Sequence, residues 1–156
     1  MNRLQRFGID ADEIAPGLWQ GSAPPIGNAV ARAGFDTLVL AAQEYQPSVD
    51  SFPGVRKLVR LPIGDEPITV AAWRAAVATA GDVTRSRQDG GRVLVTCQAG
   101  LNRSGLVSAL SLIMLDGMTG RQVVARVRSR RTGSLFNPSF VAALHAARYP
   151  ERDRAL

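Results

Sequence analysis

Three short apolar runs constrain the fold most. Thr37–Ala42 (TLVLAA) is apolar after its first residue, as a strand is when both of its faces are covered. Lys57–Ile63 (KLVRLPI) and Arg92–Thr96 (RVLVT) are the next two, and Pro62 marks the end of the former. Leu18–Ser22 reads as a further short strand that ends in a turn at Pro24-Pro25. Helical signals fill the gaps. Ile26 to Ala33 suits a short helix closed by Gly34, and Val70, Trp73, Val77 and Ala80 fall at helical spacing within Val70 to about Arg87. Gln43 to Gly54 is polar, carries Pro47 and Pro53, and reads as a loop. Arg103 to Asp116 is apolar on nearly every side, which predicts a buried helix closed by Gly117. Thr119 and Gln122 form a capping box for Gly120 to about Arg130, and Asn137-Pro138 opens a final helix to about Arg148. The expected fold class is α/β in three layers, a central, mostly parallel sheet of about four to five strands flanked by helices.

Composition narrows the classes. The chain has 156 residues, 46% hydrophobic and 21% charged, which fits one globular domain over residues 1–156 rather than a disordered chain. No run approaches the roughly 20 apolar residues of a membrane span, and Met1–Asp12 lacks the apolar core of a secretory signal. One cysteine excludes an internal disulfide and a Cys-rich zinc site. A reducing cytoplasm is the expected location. The net charge of +6 comes from 18 Arg and one Lys, against 13 acidic residues. Such a surface attracts anions, although a genomic Arg and Ala bias accounts for it equally well.

The chemistry concentrates where the Arg92–Thr96 strand turns into the Arg103 helix, at Cys97-Gln98-Ala99-Gly100-Leu101-Asn102-Arg103-Ser104-Gly105. Gln98, Ala99, Gly100, Leu101 and Asn102 can curl so that their backbone N–H groups face inward, a nest for an anion. Gly100 gives the tightest part its backbone freedom, and the positive end of the helix points at the same spot. The Arg103 guanidinium can grip two phosphate oxygens in a planar fork. Cys97 lies beneath, where the same field favours the thiolate, the attacking form. The loop therefore binds a phosphoryl group and aims a nucleophile at its phosphorus.

A cysteine, five residues, then Arg-Ser after a strand resembles the signature of the protein tyrosine phosphatases. The GLNRSG close of the loop and the length of the chain resemble the dual-specificity branch. The likeness runs from Leu18-Trp19-Gln20-Gly21 to Asn137-Pro138-Ser139-Phe140. It implies a phosphatase that needs no metal or organic cofactor and hydrolyses phosphate monoesters: phosphotyrosine in proteins, with phosphoserine and phosphothreonine as further substrates. It makes Cys97 the residue that forms the phosphocysteine, Arg103 the phosphate binder and transition-state stabiliser, and Ser104 the hydroxyl that assists the departing thiolate. It also implies a general-acid aspartate about thirty residues upstream, one carboxyl able to serve as acid and then base. Asp65, in Gly64-Asp65-Glu66-Pro67, lies 32 positions before Cys97 and takes that role, with Glu66 the competing carboxyl. Taken alone, Gly-Asp-Glu-Pro is ordinary turn chemistry.

Thr96 departs from the pattern, which has histidine before the cysteine to order the loop and favour the thiolate. It implies lower activity or a higher pH optimum. Asn137 resembles a position that fixes the surroundings of the site. His145, Trp73 and Met114 read as structural. Arg126, Arg128, Arg130 and Arg131 crowd the end of one helix, either as a solvated basic face or as a patch for an anionic substrate.

Several rivals share the loop. A rhodanese-like sulfurtransferase has no need of Asp65. An arsenate reductase needs cysteines beyond Cys97. An RNA 5′-triphosphatase would suit the positive charge, so nucleic acid stays open as a partner, yet Asp65 argues for monoesters. A phosphoinositide phosphatase typically has a basic loop, and Gln98, Ala99, Leu101 and Asn102 are uncharged. A phosphate-binding module without turnover is the non-enzymatic alternative.

Overall fold

The computed structural model describes residues 3–148. Its centre is a five-stranded sheet built from β1 (Ala11–Ala15), β2 (Leu18–Gly21), β3 (Thr37–Ala42), β4 (Lys57–Ile63) and β5 (Val93–Thr96), in the order β1-β2-β5-β3-β4. β1 pairs antiparallel with β2, and every other pairing is parallel. Helices α2 (Val70–Gln88), α3 (Arg103–Asp116), α4 (Gly120–Arg130) and α5 (Pro138–Ala146) supply one apolar layer, and α1 (Ala29–Arg32) with a 3-10 turn at Arg3–Phe7 supplies the other. The expected three-layer α/β class is the fold.

The apolar runs follow from this layering. In β3, Val39 and Ala41 pack into the α2–α5 core while Leu38 and Leu40 pack into the α1 core. In β5, Val93 and Val95 go one way and Leu94 the other. Strand side chains alternate, so a sheet covered on both sides selects apolar residues at every position. Burying each such valine or leucine stabilises the fold by about 1.5–3 kcal/mol.

Most element boundaries match the sequence reading. The strand expected at Leu18–Ser22 spans Leu18–Gly21, and that expected at Arg92–Thr96 begins at Val93. The helix expected over Ile26–Ala33 is a single turn, Ala29–Arg32. The last helix stops at Ala146, short of Arg148. β1 has no counterpart in the sequence reading. Its ADEIA carries two acidic residues and too few apolar ones to show a period, and pairing with β2 is what makes it a strand. The capping box forms as expected, with Gln122 N–H donating to Thr119 Oγ1 at 3.2 Å and Thr119 N–H to Gln122 Oε1 at 2.9 Å. Gly117 closes α3 in a left-handed conformation, φ +68°.

The parallel order has one consequence for chemistry. β3, β4 and β5 all end at the same sheet edge, so the residues that leave them, Glu44, Asp65 and Cys97, converge there. This edge is where ligands bind in open α/β sheets.

Candidate active site

Cys97 follows β5, the middle strand of the sheet, and is 4% exposed. The loop beyond it is held from outside by its carbonyls. Gln98 O accepts from Ala23 N–H at 3.1 Å and Leu101 O from Leu135 N–H at 3.2 Å. Ala99 O accepts from Arg131 Nη2 at 3.1 Å. Gly100 O accepts twice, from Gln20 Nε2 at 2.9 Å and Arg131 Nε at 2.7 Å. With these carbonyls turned outward, the N–H groups of Gln98 to Asn102 donate to no backbone carbonyl among the described residues. Gly100 is required here: its φ is +77°, and a Cβ would run into the backbone of Gly21 and Ser22.

The helix end is left open as well. Asn102, the N-cap of α3, makes no side-chain cap bond. Its amide faces sideways: Nδ2 donates to Asp65 Oδ2 at 2.9 Å, and Oδ1 accepts from the N–H groups of Phe136 and Asn137, each at 2.9 Å. Orphan N–H groups and the dipole at a helix start suit an anion.

Arg103, read as the phosphate fork, is buried. Its Nη1 and Nη2 donate to Glu44 Oε1 and Oε2 at 2.5 and 2.7 Å, and Nη1 also donates to the Ile63 carbonyl at 3.0 Å. Nε is buried with no partner among the described residues. Glu44 therefore clamps the outer edge of the guanidinium and leaves the Nε edge free to donate. The guanidinium beside Glu44 holds its carboxyl down at about 2, and the Glu44 bond in turn raises Arg103, with Cys97 and Asp65 adding to the pull. Ser104 Oγ lies 3.2 Å from Cys97 Sγ, within hydrogen-bond reach of the sulfur.

Asp65 sits beside this loop, where the resemblance placed it. Both of its oxygens accept amide N–H groups, Oδ2 from Asn102 and Oδ1 from Asn137 Nδ2 at 2.9 Å. Asn137 joins the two loops, because the same Nδ2 reaches the Glu66 carbonyl at 3.2 Å and its Oδ1 caps α5 at Ser139 and Phe140. Glu66, the competing carboxyl, takes part here through its backbone.

One further residue differs from its sequence reading. Arg131 is no part of a solvated face. It is 6% exposed, pairs with Asp10 at 2.8 Å and Asp12 at 2.9 Å, and grips the loop carbonyls, while Arg128 and Arg130 remain exposed. Its bond to Asp10 holds that carboxyl below its ordinary range. Thr96, in the place of the expected histidine, donates its hydroxyl to the Val39 carbonyl at 2.7 Å, which ties β5 to β3 beneath the loop.

The chain matches the family described as dual specificity phosphatase, catalytic domain, over residues 37–149. The chain belongs to the dual specificity phosphatase family. Mouse dual specificity phosphatase 28 is 32% identical over 142 residues, covering 84% of this chain and 79% of that one. Human dual specificity protein phosphatase 12 is 30% identical over 134 residues, but this chain spans only 38% of its length. Human DUSP28 has a solved structure that superposes with a TM-score of 0.73 at 28% identity, covering 86% and 89% of the two chains. DUSP15, at 20% identity and a TM-score of 0.71, shares the fold. The chain is a cysteine-dependent phosphatase domain of that family, a hydrolase. Among the described residues no helix is long and apolar enough to cross a membrane, and no group of three His, Cys, Asp or Glu side chains is placed to hold a metal ion.

Glu44 and Gln20 extend the site beyond the residues that motif reasoning assigned, and Asn102, assigned there as part of the anion nest, adds its side chain. Glu44 carried one signal, an acidic residue just past the C-terminal end of a buried strand. Nothing local pointed to the side-chain role of Asn102, and Gln20 had no local signal.

Proposed function

We propose that residues 1–156 form one catalytic domain that hydrolyses phosphorylated proteins, phosphotyrosine first, with Cys97, Arg103, Asp65 and Ser104 as its catalytic residues. The observation that carries this is the buried Arg103 Nε–H, unpartnered while Glu44 holds the opposite edge. A buried donor left unpaired is costly, and an oxyanion in the Gln98–Asn102 nest satisfies it together with the loop N–H groups.

In the first step the Cys97 thiolate attacks phosphorus and an S–P bond forms as the P–O bond to the leaving group breaks. Asp65 passes its proton to the departing oxygen. Arg103 and the loop N–H groups hold the non-bridging oxygens, whose charge is greatest in the transition state. In the second step Asp65, now a carboxylate, takes a proton from water, whose oxygen attacks phosphorus and releases inorganic phosphate. Ser104 donates its hydroxyl hydrogen bond to the sulfur as the thiolate departs. Ester and water become alcohol and phosphate, with Asp65 reprotonated by water and Cys97 again a thiolate.

Cys97→Ser is expected to abolish turnover and retain phosphate-ester binding, because no base stands by to activate a serine hydroxyl. Retained hydrolysis would overturn the covalent route. Arg103→Lys keeps the charge, loses the fork and is expected to lose most activity. A panel of phosphopeptides, phosphoinositides and triphosphorylated RNA, assayed with chelator present, decides the substrate class. A proton donor at Asp65 favours monoesters, so phosphopeptides are expected to lead. The lone cysteine stays a thiol in a reducing compartment, which fits a cytoplasmic setting.

A further inference from the structure

Leu135 has φ +56°, the one positive φ outside glycine among the described residues. A leucine in that region is strained and persists only where its surroundings hold it. They do so here. Leu135 N–H donates to Leu101 O at 3.2 Å, its carbonyl accepts from Arg128 Nη2 at 2.8 Å, and its side chain is fully buried against Gly105.

The turn determines where the next side chain goes. Leu135 is 0% exposed and Asn137 8%, while Phe136 between them is 65% exposed. Phe136 is no loosely held residue, since its N–H donates to Asn102 Oδ1 at 2.9 Å. Three consecutive residues are thus fastened to the signature loop, and the middle one presents an aromatic ring to solvent. Packing of the fold explains the buried pair and gives no reason for the exposed ring.

Its location supplies one. In the reaction proposed above, the leaving oxygen must come within hydrogen-bond reach of Asp65. Asp65 is gripped by Asn102 and Asn137, the residues bonded to Phe136 through space and through the chain. The group carried on that oxygen therefore leaves the loop past the backbone of Phe136.

We propose that Phe136 is a specificity-determining residue, a fixed aromatic face against which the ring of a phosphotyrosine packs while its phosphate sits in the Cys97–Arg103 loop. Aromatic pairs gain from offset or edge-to-face contact beyond the area they bury, and a phosphothreonine side chain has no ring to offer. The inference rests on the phosphatase reading of the loop and names the substrate class that this rim favours.

The test uses full-length protein and two peptides of one sequence, carrying phosphotyrosine or phosphothreonine. Phe136→Ala is expected to raise KM for the phosphotyrosine peptide roughly tenfold through loss of the aromatic contact, a loss at least fivefold greater than for phosphothreonine, and Phe136→Trp is expected to restore most of it. Equal losses on the two peptides, or none on phosphotyrosine, would overturn the proposal. A binding arm in the Cys97→Ser background separates it from the catalytic reading. There Phe136→Ala is expected to weaken phenyl phosphate several-fold more than inorganic phosphate, and equal weakening would show that Phe136 merely supports the loop. A parent protein that turns over neither peptide defeats the proposed chemistry, and the binding arm still decides the role of Phe136.

Discussion

Glu44 and Asp65 leave neighbouring strands at one sheet edge, and both lie beside Arg103 and the signature loop, yet their partners differ in kind. Glu44 meets a guanidinium fork, two charge-assisted bonds at 2.5 and 2.7 Å that keep its carboxyl at about 2. Asp65 meets two neutral amides, from Asn102 and Asn137. A carboxylate clamped by a full positive charge is suited to hold that charge in place. A carboxyl oriented by neutral donors keeps its direction. Partner chemistry, more than position, separates the structural acid from the proposed catalytic one.

The largest effect that could break this division is at Asp65. Asp65→Asn is expected to slow hydrolysis of alkyl and phenyl phosphates by roughly 10²–10⁴-fold, and esters of very acidic phenols much less. It is also expected to flatten the high-pH limb of the rate profile. An asparagine presents one NH2 to an amide donor, so Asp65→Ala is the companion that removes this clash. Equal losses on good and poor leaving groups would remove Asp65 from the proton transfer, and a greater loss in Glu66→Gln would move the role there.

Glu44→Gln is expected to come next, at about 10²-fold, because a displaced guanidinium misaligns the phosphate. Unlike the loss at Asp65, it is expected to be independent of leaving-group acidity. A leaving-group dependence like that of Asp65→Asn would erase the distinction between the two carboxylates.

Asn137→Ala removes one of the two amides on Asp65. Hydrogen bonds to charged groups are worth about 1.5–3 kcal/mol, so a loss of about tenfold in kcat is expected, concentrated on poor leaving groups. Uniform losses, or a rise in KM alone, would assign Asn137 to capping α5 rather than to aiming Asp65.

The smallest effect is on stability. Glu44 is depressed from its ordinary 4.5 to about 2, so its contribution is fully present above pH 4.5 and is lost as pH falls through about 2. Urea melts are expected to show Glu44→Gln less stable than the parent at neutral pH, with the gap closing between those two values. A gap that persists at pH 2 would mean that Glu44 acts through packing rather than charge.

Legibility followed sequence distance. Thr37–Ala42 and the Arg103–Asp116 helix could be read to the residue, because burial on both faces imprints itself on every position of a strand and nearly every face of a central helix, and Lys57–Ile63 could because Val59, Leu61 and Ile63 alternate on its one buried face. β1 could not, since its short ADEIA run, with two adjacent acidic residues, shows no apolar period. Arg131 was misread for a related reason: among four arginines in one short stretch, nothing local marks the one that turns inward to Asp10, Asp12 and the loop carbonyls.

What the sequence determined by itself is the loop and the candidates at its two ends, the proposed nucleophile Cys97 and the proposed phosphate fork Arg103, because the two are joined by one continuous strand-loop-helix whose geometry is local. Asp65 came from a spacing that the family resemblance made meaningful. Tertiary structure alone decided the rest: Glu44 reaches Arg103 across 59 residues, Asn137 reaches Asp65 across 72, and Gln20 reaches Gly100 across 80. Those pairings exist because β2, β3 and β4 run parallel with β5 in one sheet and deliver their ends to one edge, and strand order is set by the packing of the whole chain rather than by any segment of it.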